Sequence, residues 1–365
     1  MIAMAPENAE PALPVTLLTG FLGSGKTTLL RRALASPALN DTAVIVNEIG
    51  EIAIDHYLVD LVEGDVLELP GGCLCCAVRE DLAASLRGLI DRRDAGELRP
   101  FRRVVIETSG LADPGPILYT LGADPMLDAR LRLACVVTVV DAVSGAATLD
   151  RFAEAARQAA VADALVVSKT DLVPFGAALT TRLDALNPGA ARVVAATADP
   201  GAVLFGQGGT AARGPHPCPL PLAGEGVEMA SPLVNPPPRA GEGSVGASPL
   251  PQPADPHATH THGIDTFALI LDGRIEPLPF AQALGGLAQA RGYDLLRVKG
   301  LVEFAERPGR PVLVQAAQHA MFAPEWLDAW PDADRRSRLV FIVHGIPRAE
   351  ILALFAFASP TILGT

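Results

Sequence analysis

Short, nearly continuous apolar runs alternate with amphipathic helical stretches between residues 15 and 197. The apolar runs predict buried strands at residues 15–19, 43–47, 104–107, 135–141, 164–168 and 192–196. Strands that are apolar along their whole length and alternate with helices are typical of a parallel sheet with helices on both faces. The first half of the chain is therefore predicted to be an α/β domain.

The pattern changes at residue 206, where the chain becomes rich in Pro and Gly. This stretch contains a duplication, since Ala223-Gly-Glu-Gly226 recurs as Ala240-Gly-Glu-Gly243. Its aromatic and β-branched content is too low to offset the entropy lost on ordering, so residues 206–262 are predicted to be a disordered insert.

An ordered pattern returns at residue 263. It predicts strands at 265–271, 294–303, 312–318 and 338–344 and helices at 278–290 and 348–358. This order indicates a second, smaller α+β domain.

Composition narrows the possible partners. The 365 residues exceed what a single hydrophobic core usually supports, so two domains are expected. Acidic side chains outnumber basic ones by 41 to 29, the formal charge is −12, and no segment forms a basic stripe. This argues against nucleic acid and anionic membranes as partners. The first residues lack a signal-peptide pattern and no apolar run is long enough to span a bilayer, so the expected location is the cytoplasm.

A glycine-rich motif follows the first predicted strand. The segment Gly20-Phe-Leu-Gly-Ser-Gly25-Lys26-Thr27 fits G-x-x-x-x-G-K-[ST] and stands between that strand and a helical run. In this context backbone N–H groups surround the phosphates, Lys26 reaches the β and γ oxygens, and the Thr27 hydroxyl binds Mg²⁺. Lys26 and Thr27 are therefore catalytic candidates, and the predicted nucleotide-binding residues are Gly20, Gly23, Ser24, Gly25, Lys26, Thr27 and Thr28.

Two further strand ends carry residues suited to a nucleotide. Glu107 ends a buried strand and can hold Mg²⁺ directly or through water, while Gly110 allows a backbone N–H to approach the γ-phosphate. Ser168-Lys169-Thr170-Asp171 has the place and form of the guanine-recognition tetrapeptide N-K-x-D, in which Asp171 accepts from guanine N1–H and N2–H. Serine in place of the usual asparagine predicts a weaker base contact at Ser168.

Three thiols lie close together in Leu69-Pro-Gly-Gly-Cys73-Leu-Cys75-Cys76. Thiolates at this density favour Zn²⁺ or Cu(I) over hard cations. Three thiolates leave one tetrahedral position for another ligand, which suits a site that releases its metal. Packing as small buried residues and a disulfide switch are the alternatives.

Two other polar segments are weaker candidates. Glu48, Glu51 and Asp55 follow the second predicted strand, where P-loop GTPases carry a nucleotide-sensing segment, and Glu48 is the catalytic candidate among them. Histidines at the end of the predicted insert could collect a metal for loading, or form an inert linker. These histidines are His257, His260 and His262.

Together the motifs resemble the CobW family of SIMIBI-class P-loop GTPases. They occur in the family's order as GFLGSGKTTLL, VNEIGE, GGCLCC, ETSGLADP, VDAV and SKTDL. The resemblance is strong over residues 15–196 and weaker over 263–363. With the composition, it implies a disordered N-terminus at 1–13, a P-loop GTPase domain at 14–205, the insert at 206–262 and a CobW-like C-terminal α+β domain at 263–365.

The resemblance also implies a metallochaperone. Such a protein uses GTP and Mg²⁺ to acquire Zn²⁺, with Co²⁺ or Ni²⁺ as other cargoes, and delivers the metal to a client metalloprotein; a nucleotide-dependent homodimer is a further expectation. The motifs contain no arginine finger, so slow intrinsic hydrolysis is expected. Three alternatives stay open: a non-catalytic metal buffer or sensor, a cobalt-handling protein of cobalamin synthesis, and a thiol redox switch.

Overall fold

The computed structural model describes residues 12–36, 41–47, 66–68, 74–78, 82–205, 262–272 and 275–363. These residues form two sheets, one in each half of the chain. Among them, no helix combines the length and apolar character that a bilayer crossing requires.

The first half alternates strands and helices, as the apolar pattern predicts. Its elements in chain order are β1 (Leu13–Thr19), α1 (Lys26–Leu34), β2 (Thr42–Asn47), β3 (Val66–Glu68), β4 (Leu74–Val78), α2 (Leu82–Asp94), β5 (Arg103–Thr108), α3 (Gly115–Ala123), α4 (Pro125–Arg130), β6 (Leu131–Asp141), α5 (Gly145–Arg151), α6 (Ala153–Ala160), β7 (Ala164–Ser168), α7 (Ala177–Leu186), β8 (Ala191–Val194) and α8 (Pro200–Phe205). The strands pair in the order β3-β4-β2-β5-β1-β6-β7-β8. Each neighbouring pair is parallel except β3 and β4, which are antiparallel at one edge.

Helices cover both faces of this first sheet. In β1, Leu17 packs into one apolar cluster with residues of α2, α3, α6 and α7, whereas its neighbour Leu18 packs into another with residues of α1 and α8. Both leucines are fully buried. Because both faces are covered, successive strand positions are apolar instead of alternating with polar ones. The predicted α/β class is confirmed.

The second half is an antiparallel sheet with helices on one face. Its elements in chain order are β9 (Ile264–Leu271), α9 (Pro277–Arg291), β10 (Leu295–Val302), β11 (Val312–Ala317), β12 (Ala320–Met321), β13 (Glu325–Trp326), β14 (Ser337–His344), α10 (Arg348–Leu354) and β15 (Thr361–Leu363). The strands pair in the order β12-β11-β10-β14-β9-β15, and β13 also pairs with β11. Apolar residues of α9 and α10 pack with strand residues in one core cluster.

Some elements depart from the predicted pattern. The apolar pattern does not predict β3 or β4, the strand that contains Cys75 and Cys76. The helix predicted at 348–358 ends at Leu354 and continues after Phe355 as a 3₁₀ turn at Ala356–Ala358. The short strands β12, β13 and β15 were also not predicted; β12 and β13 have only two residues each, too few to show a period of two.

Side chains from other elements satisfy the C-terminal carbonyl groups of α6. Such carbonyls have no partner inside the helix, so they need external donors. Thr138 Oγ1 donates to Gln158 O at 2.6 Å, and Arg297 Nη1 donates to Val161 O at 2.8 Å. The buried amide of Asn187 donates to three more carbonyl oxygens at 2.7–3.2 Å, those of Ala159, Ala160 and Ala162.

A buried charge cluster joins the two domains just after α6. Asp163 accepts hydrogen bonds from Arg297 Nη2 and Lys299 Nζ, both at 2.8 Å, and each of these side chains is 4% exposed. Asp163 Oδ2 also accepts from the backbone N–H of Val136 at 2.8 Å. Burial alone would raise the pKa of Asp163, but the two cations outweigh it and hold that pKa below its ordinary value. The helix α6 is therefore attached to β10 of the second sheet.

Candidate nucleotide and metal sites

The glycine-rich loop turns tightly between β1 and α1. Gly20 has φ 142° and a Cβ atom there would lie 2.3 Å from Val139 O, so only glycine fits. Gly25, with φ 98°, precedes the first turn of α1. Lys26 is buried, and its Nζ donates to Gly20 O at 2.8 Å and to Phe21 O at 3.3 Å. The loop therefore closes around the lysine, with the N-terminus of α1 at its base.

Thr27 and Glu107, predicted separately from two motifs, meet in the structure. Thr27 Oγ1 donates to Glu107 Oε1 at 2.9 Å, and Glu107 is buried at the end of β5. They meet because β5 pairs with β1, where Leu18 lies opposite Glu107. A hydroxyl and a carboxylate are hard oxygen ligands, so the pair fits Mg²⁺.

The loop after β5 touches the glycine-rich loop. A Cβ atom on Gly110 would lie 2.7 Å from the backbone N of Leu22 and 2.8 Å from its Cα. Backbone atoms cannot yield as a flexible side chain can, so glycine is required for this approach. The two segments predicted to surround the γ-phosphate are thus in contact.

The tetrapeptide that begins at Ser168 connects to the same loop. The Ser168 hydroxyl donates to Ser24 O at 2.5 Å, so this side chain is bonded to the glycine-rich loop, and the weaker base contact predicted at Ser168 stays a prediction. Lys169 Nζ lies 3.4 Å from Asp141 Oδ2, and Asp171 is exposed. Burial would raise the pKa of Asp141, but hydrogen bonds from Ser144 and the charge of Lys169 lower it below the ordinary value.

The other predicted residues divide between described and undescribed parts of the chain. Gly23 has φ 71° in the glycine-rich loop, and Thr28 is exposed in the first turn of α1. His262 Nε2 lies 2.9 Å from Leu149 O, which attaches the start of the second domain to α5. The predicted residues that lie outside the described ranges are Glu48, Glu51, Asp55, Cys73, His257 and His260.

Backbone pairing places the cysteine strand near the predicted magnesium residues. In the register of the sheet, Val46 of β2 pairs with Ala77 of β4 on one side and with Glu107 of β5 on the other. Cys76 immediately precedes Ala77, so its backbone is about 10 Å, or two strand spacings, from that of Glu107. No group of three or more metal-ligating side chains occurs among the residues the structure describes, and those ranges do not include Cys73.

Sequence reasoning missed several side chains around these loops. Asp141 accepts a hydrogen bond from the Ser144 backbone N–H at 2.6 Å. In the sequence, only its place in the VDAV motif indicates a role for it. Arg157 and Gln158 lie in α6 and contact the loop after β5. They form part of no recognisable motif, because their partners are more than 40 residues away in the chain.

A parallel sheet with helices on both faces and a glycine-rich loop between its central strand and α1 define the P-loop class of nucleotide-binding proteins. Residues 14–194 match the family described as "CobW/HypB/UreG, nucleotide-binding domain", and residues 264–358 match "Cobalamin synthesis protein cobW C-terminal domain". The chain belongs to the CobW family, and it is a GTPase.

Individual relatives match over nearly the whole chain. The chain is 32% identical over 348 residues to the zinc chaperone YjiA of Escherichia coli (strain K12), covering 94% of this chain and 98% of that protein. It is 29% identical over 376 residues to the zinc chaperone CobW of Sinorhizobium sp, covering 93% and 96%. The crystal structure of Zn(II)-bound YjiA GTPase from E. coli is similar with a TM-score of 0.65 and 30% identity, covering 96% of this chain and 99% of that one.

Proposed function

We propose that the chain is a GTP-hydrolysing metallochaperone. It binds Zn²⁺, or a related transition metal, through Cys73, Cys75 and Cys76, and passes the metal to a client metalloprotein when GTP is hydrolysed. The zinc-chaperone names of the relatives support the identity of the metal. The thiol-rich motif supports it independently, because soft thiolates favour Zn²⁺ over hard cations.

In this proposal the nucleotide site is assembled from the two loops and the base-recognition segment. Lys26 neutralises the β and γ oxygens, and Thr27 with Glu107 holds Mg²⁺, which when bound supplies charge neutralisation for the transferred phosphoryl group. The backbone at Gly110 binds the γ-phosphate, and the Asp171 carboxylate recognises guanine. The contact between Thr27 and Glu107 supports this arrangement, since it brings two hard oxygen ligands to the N-terminus of α1.

The observation that carries the metal proposal is the strand register. The strand with Cys75 and Cys76 is hydrogen-bonded to β2, and β2 is hydrogen-bonded to β5, which ends at the Glu107 segment. The chain leaves β2 directly into the segment that contains Glu48. We therefore infer that loss of the γ-phosphate affects the cysteine strand through β2, which pairs with it. Glu48 is the proposed catalytic residue of the segment after β2.

Coupling requires only that the GTP and GDP states differ in metal affinity. A ligand shifts an equilibrium by its differential affinity for the two states and by no more. A tenfold difference in affinity corresponds to about 1.4 kcal/mol, which is within the usual range for coupled sites. Tight binding with GTP and weaker binding with GDP would make release to a client follow hydrolysis.

The test is Zn²⁺ affinity, measured by competition with a chelating dye under reducing conditions. It compares protein loaded with a non-hydrolysable GTP analogue, protein loaded with GDP, and nucleotide-free protein. We expect affinity to differ by about tenfold between the two nucleotide states and to be lost when Cys73, Cys75 and Cys76 are all changed to Ser. A Lys26→Ala variant serves as the control, since it keeps the thiols but should remove the nucleotide effect.

Each other outcome identifies an alternative. Equal, thiol-dependent affinity in all three states favours a metal buffer that happens to bind GTP. Stronger and selective binding of Co²⁺ in the same assay favours cobalt handling. Absence of stoichiometric metal, together with a disulfide under mild oxidant, favours a redox switch.

A further inference from the structure

One buried side chain of α6 contacts the loop that contains Gly110, on the side away from the glycine-rich loop. Gln158 in α6 is fully buried, and its Nε2 donates to Gly110 O at 3.2 Å and to Ala112 O at 2.9 Å. The opposite side of the loop contacts the glycine-rich loop at Leu22. The loop is thus enclosed between the predicted phosphate site and α6.

The chemistry at this position calls for a neutral group with two donors. Two backbone carbonyl groups converge on it, and buried carbonyls need hydrogen-bond donors. An amide NH₂ supplies two donors without introducing a buried charge, which a lysine or arginine would add. The convergence of two acceptors also fixes which end of the Gln158 amide faces the loop.

The amide is rigidly placed. The backbone oxygen of Gln158 accepts a hydrogen bond from Thr138 of β6 at 2.6 Å, which anchors this turn of α6 to the sheet. Gln158 Oε1 has no hydrogen-bond partner within the described residues, so the polar contacts of the side chain are the two loop carbonyls. Leaving a buried acceptor unpaired costs free energy, and a methionine of similar size would avoid that cost. Gln158 therefore has one unpaired buried acceptor, while its amide nitrogen donates to both loop carbonyls.

A neighbouring ion pair supports the same loop. Arg157 Nη1 lies 2.9 Å from Asp113 Oδ2, and both side chains are about one-third exposed. Asp113 Oδ1 in turn accepts from the backbone N–H of Gly115 at the start of α3. Two consecutive residues of α6 therefore hold the loop at both of its ends.

We propose that Gln158 is a positioning residue for GTP hydrolysis: it holds the Gly110 loop against the phosphate loop in the geometry that reads the γ-phosphate. It acts through backbone carbonyls and does not touch the nucleotide. This role rests on the proposed contact between the Gly110 backbone and the γ-phosphate, and it does not depend on transition-metal binding by the cysteines.

The test compares Gln158→Met with a matched control, Gln315→Leu. Methionine keeps the length and volume of the side chain but removes both donors. Gln315 is also buried and its amide also donates to a backbone carbonyl, that of Leu133, but it lies at the domain junction. For each protein we measure kcat and KM for GTP, the affinities for GDP and for a non-hydrolysable GTP analogue, and thermal unfolding with GDP bound.

GDP lacks the γ-phosphate. A substitution that acts through the Gly110 loop should therefore weaken binding of the GTP analogue more than binding of GDP. We expect Gln158→Met to lower kcat by about tenfold or more and to reduce the affinity for the GTP analogue by about fivefold. The affinity for GDP should stay within about twofold of that of the original protein. Gln315→Leu should change thermal stability alone.

Three results would overturn the proposal. One is a Gln158→Met variant with unchanged kcat and an unchanged ratio of analogue to GDP affinity. Another is equal weakening of both nucleotides, which would show a general structural role. Failure of the variant to fold even with GDP bound would likewise show that Gln158 supports the whole domain and not the loop in particular.

Discussion

Ser168 and Asp171 are predicted to have different roles within the tetrapeptide. Its hydroxyl holds the phosphate loop through Ser24 O, whereas the exposed Asp171 remains available for a base. We predict that Ser168→Ala weakens the binding of GTP and of GDP by the same amount, about 1 kcal/mol, which is the usual net contribution of one hydrogen bond. The preference for guanine should be unchanged. Asp171→Asn should instead reduce the preference for GDP over ADP. Titration calorimetry with GDP and ADP measures both effects, and a loss of guanine preference in Ser168→Ala would contradict this assignment.

Glu107 offers a second prediction at the same scale. Glu107→Gln keeps a side chain that accepts from Thr27 but removes the negative charge that favours a hard cation. We expect the Mg²⁺ concentration for half-maximal GTP hydrolysis to rise by about tenfold, equivalent to about 1.4 kcal/mol. Glu97→Gln is the matched control, because Glu97 is largely exposed and pairs with Arg92 instead. Unchanged magnesium dependence in Glu107→Gln would remove the acid from the proposed metal shell.

How far a residue could be predicted depends on whether its partner is local. Lys26 and Thr27 follow from one motif, and the meeting of Thr27 with Glu107 follows from the rule that parallel strands end at the same edge. The contact of Gln158 with Gly110 spans 48 positions and depends on how α6 packs. No periodicity or spacing in the sequence encodes such a contact, so Gln158 became visible only in the structure.

At the scale of elements, prediction succeeded where apolar runs are long. The run at 164–168 coincides with β7, because both faces of a central strand are buried and every position is apolar. Prediction failed for β3, which has only three residues at the sheet edge. It also failed for β4, because its cysteines were interpreted as metal ligands and not as part of a strand. A strand of three residues is too short to show a hydrophobic pattern of its own.

The C-terminal end of α6 gives a prediction about an element. The amide of Asn187, which directly follows α7, donates to the carbonyl oxygens of Ala159 and Ala160 in the last turn of α6 and of Ala162 just after it. We expect Asn187→Ala to lower the free energy of unfolding by about 1–3 kcal/mol, because it leaves buried carbonyls without donors. Urea unfolding of the GDP-bound protein measures this loss. Thr180→Ala on the same helix is the control, since its hydroxyl is exposed and should contribute little; an equal loss in both variants would mean that α7 itself, and not the cap, was weakened.

At the scale of the whole molecule, the junction between the domains was not predictable. Arg297 and Lys299 alternate with apolar residues in β10, a pattern that normally indicates a solvated face. They are instead buried, because Asp163, more than 130 positions earlier, supplies the opposite charge. The same α6 segment that contacts the Gly110 loop therefore ends on the second sheet. Any movement of α6 that accompanies nucleotide exchange would reach both domains.

This junction leads to a prediction about stability and pH. Asp163→Ala leaves two buried cations without their carboxylate, so we expect the free energy of unfolding at neutral pH to fall by about 3–5 kcal/mol. Asp184→Ala, which removes a mostly exposed carboxylate that pairs with Arg192, should cost less than about 1 kcal/mol in the same urea titration. Because the folded-state pKa of Asp163 lies below its ordinary value of 3.8, its contribution is complete above that pH. It is lost as the pH falls through the lowered folded pKa, so the difference between the original protein and Asp163→Ala should shrink in acid. A difference that stays constant with pH would show that the loss comes from packing and not from the carboxylate charge.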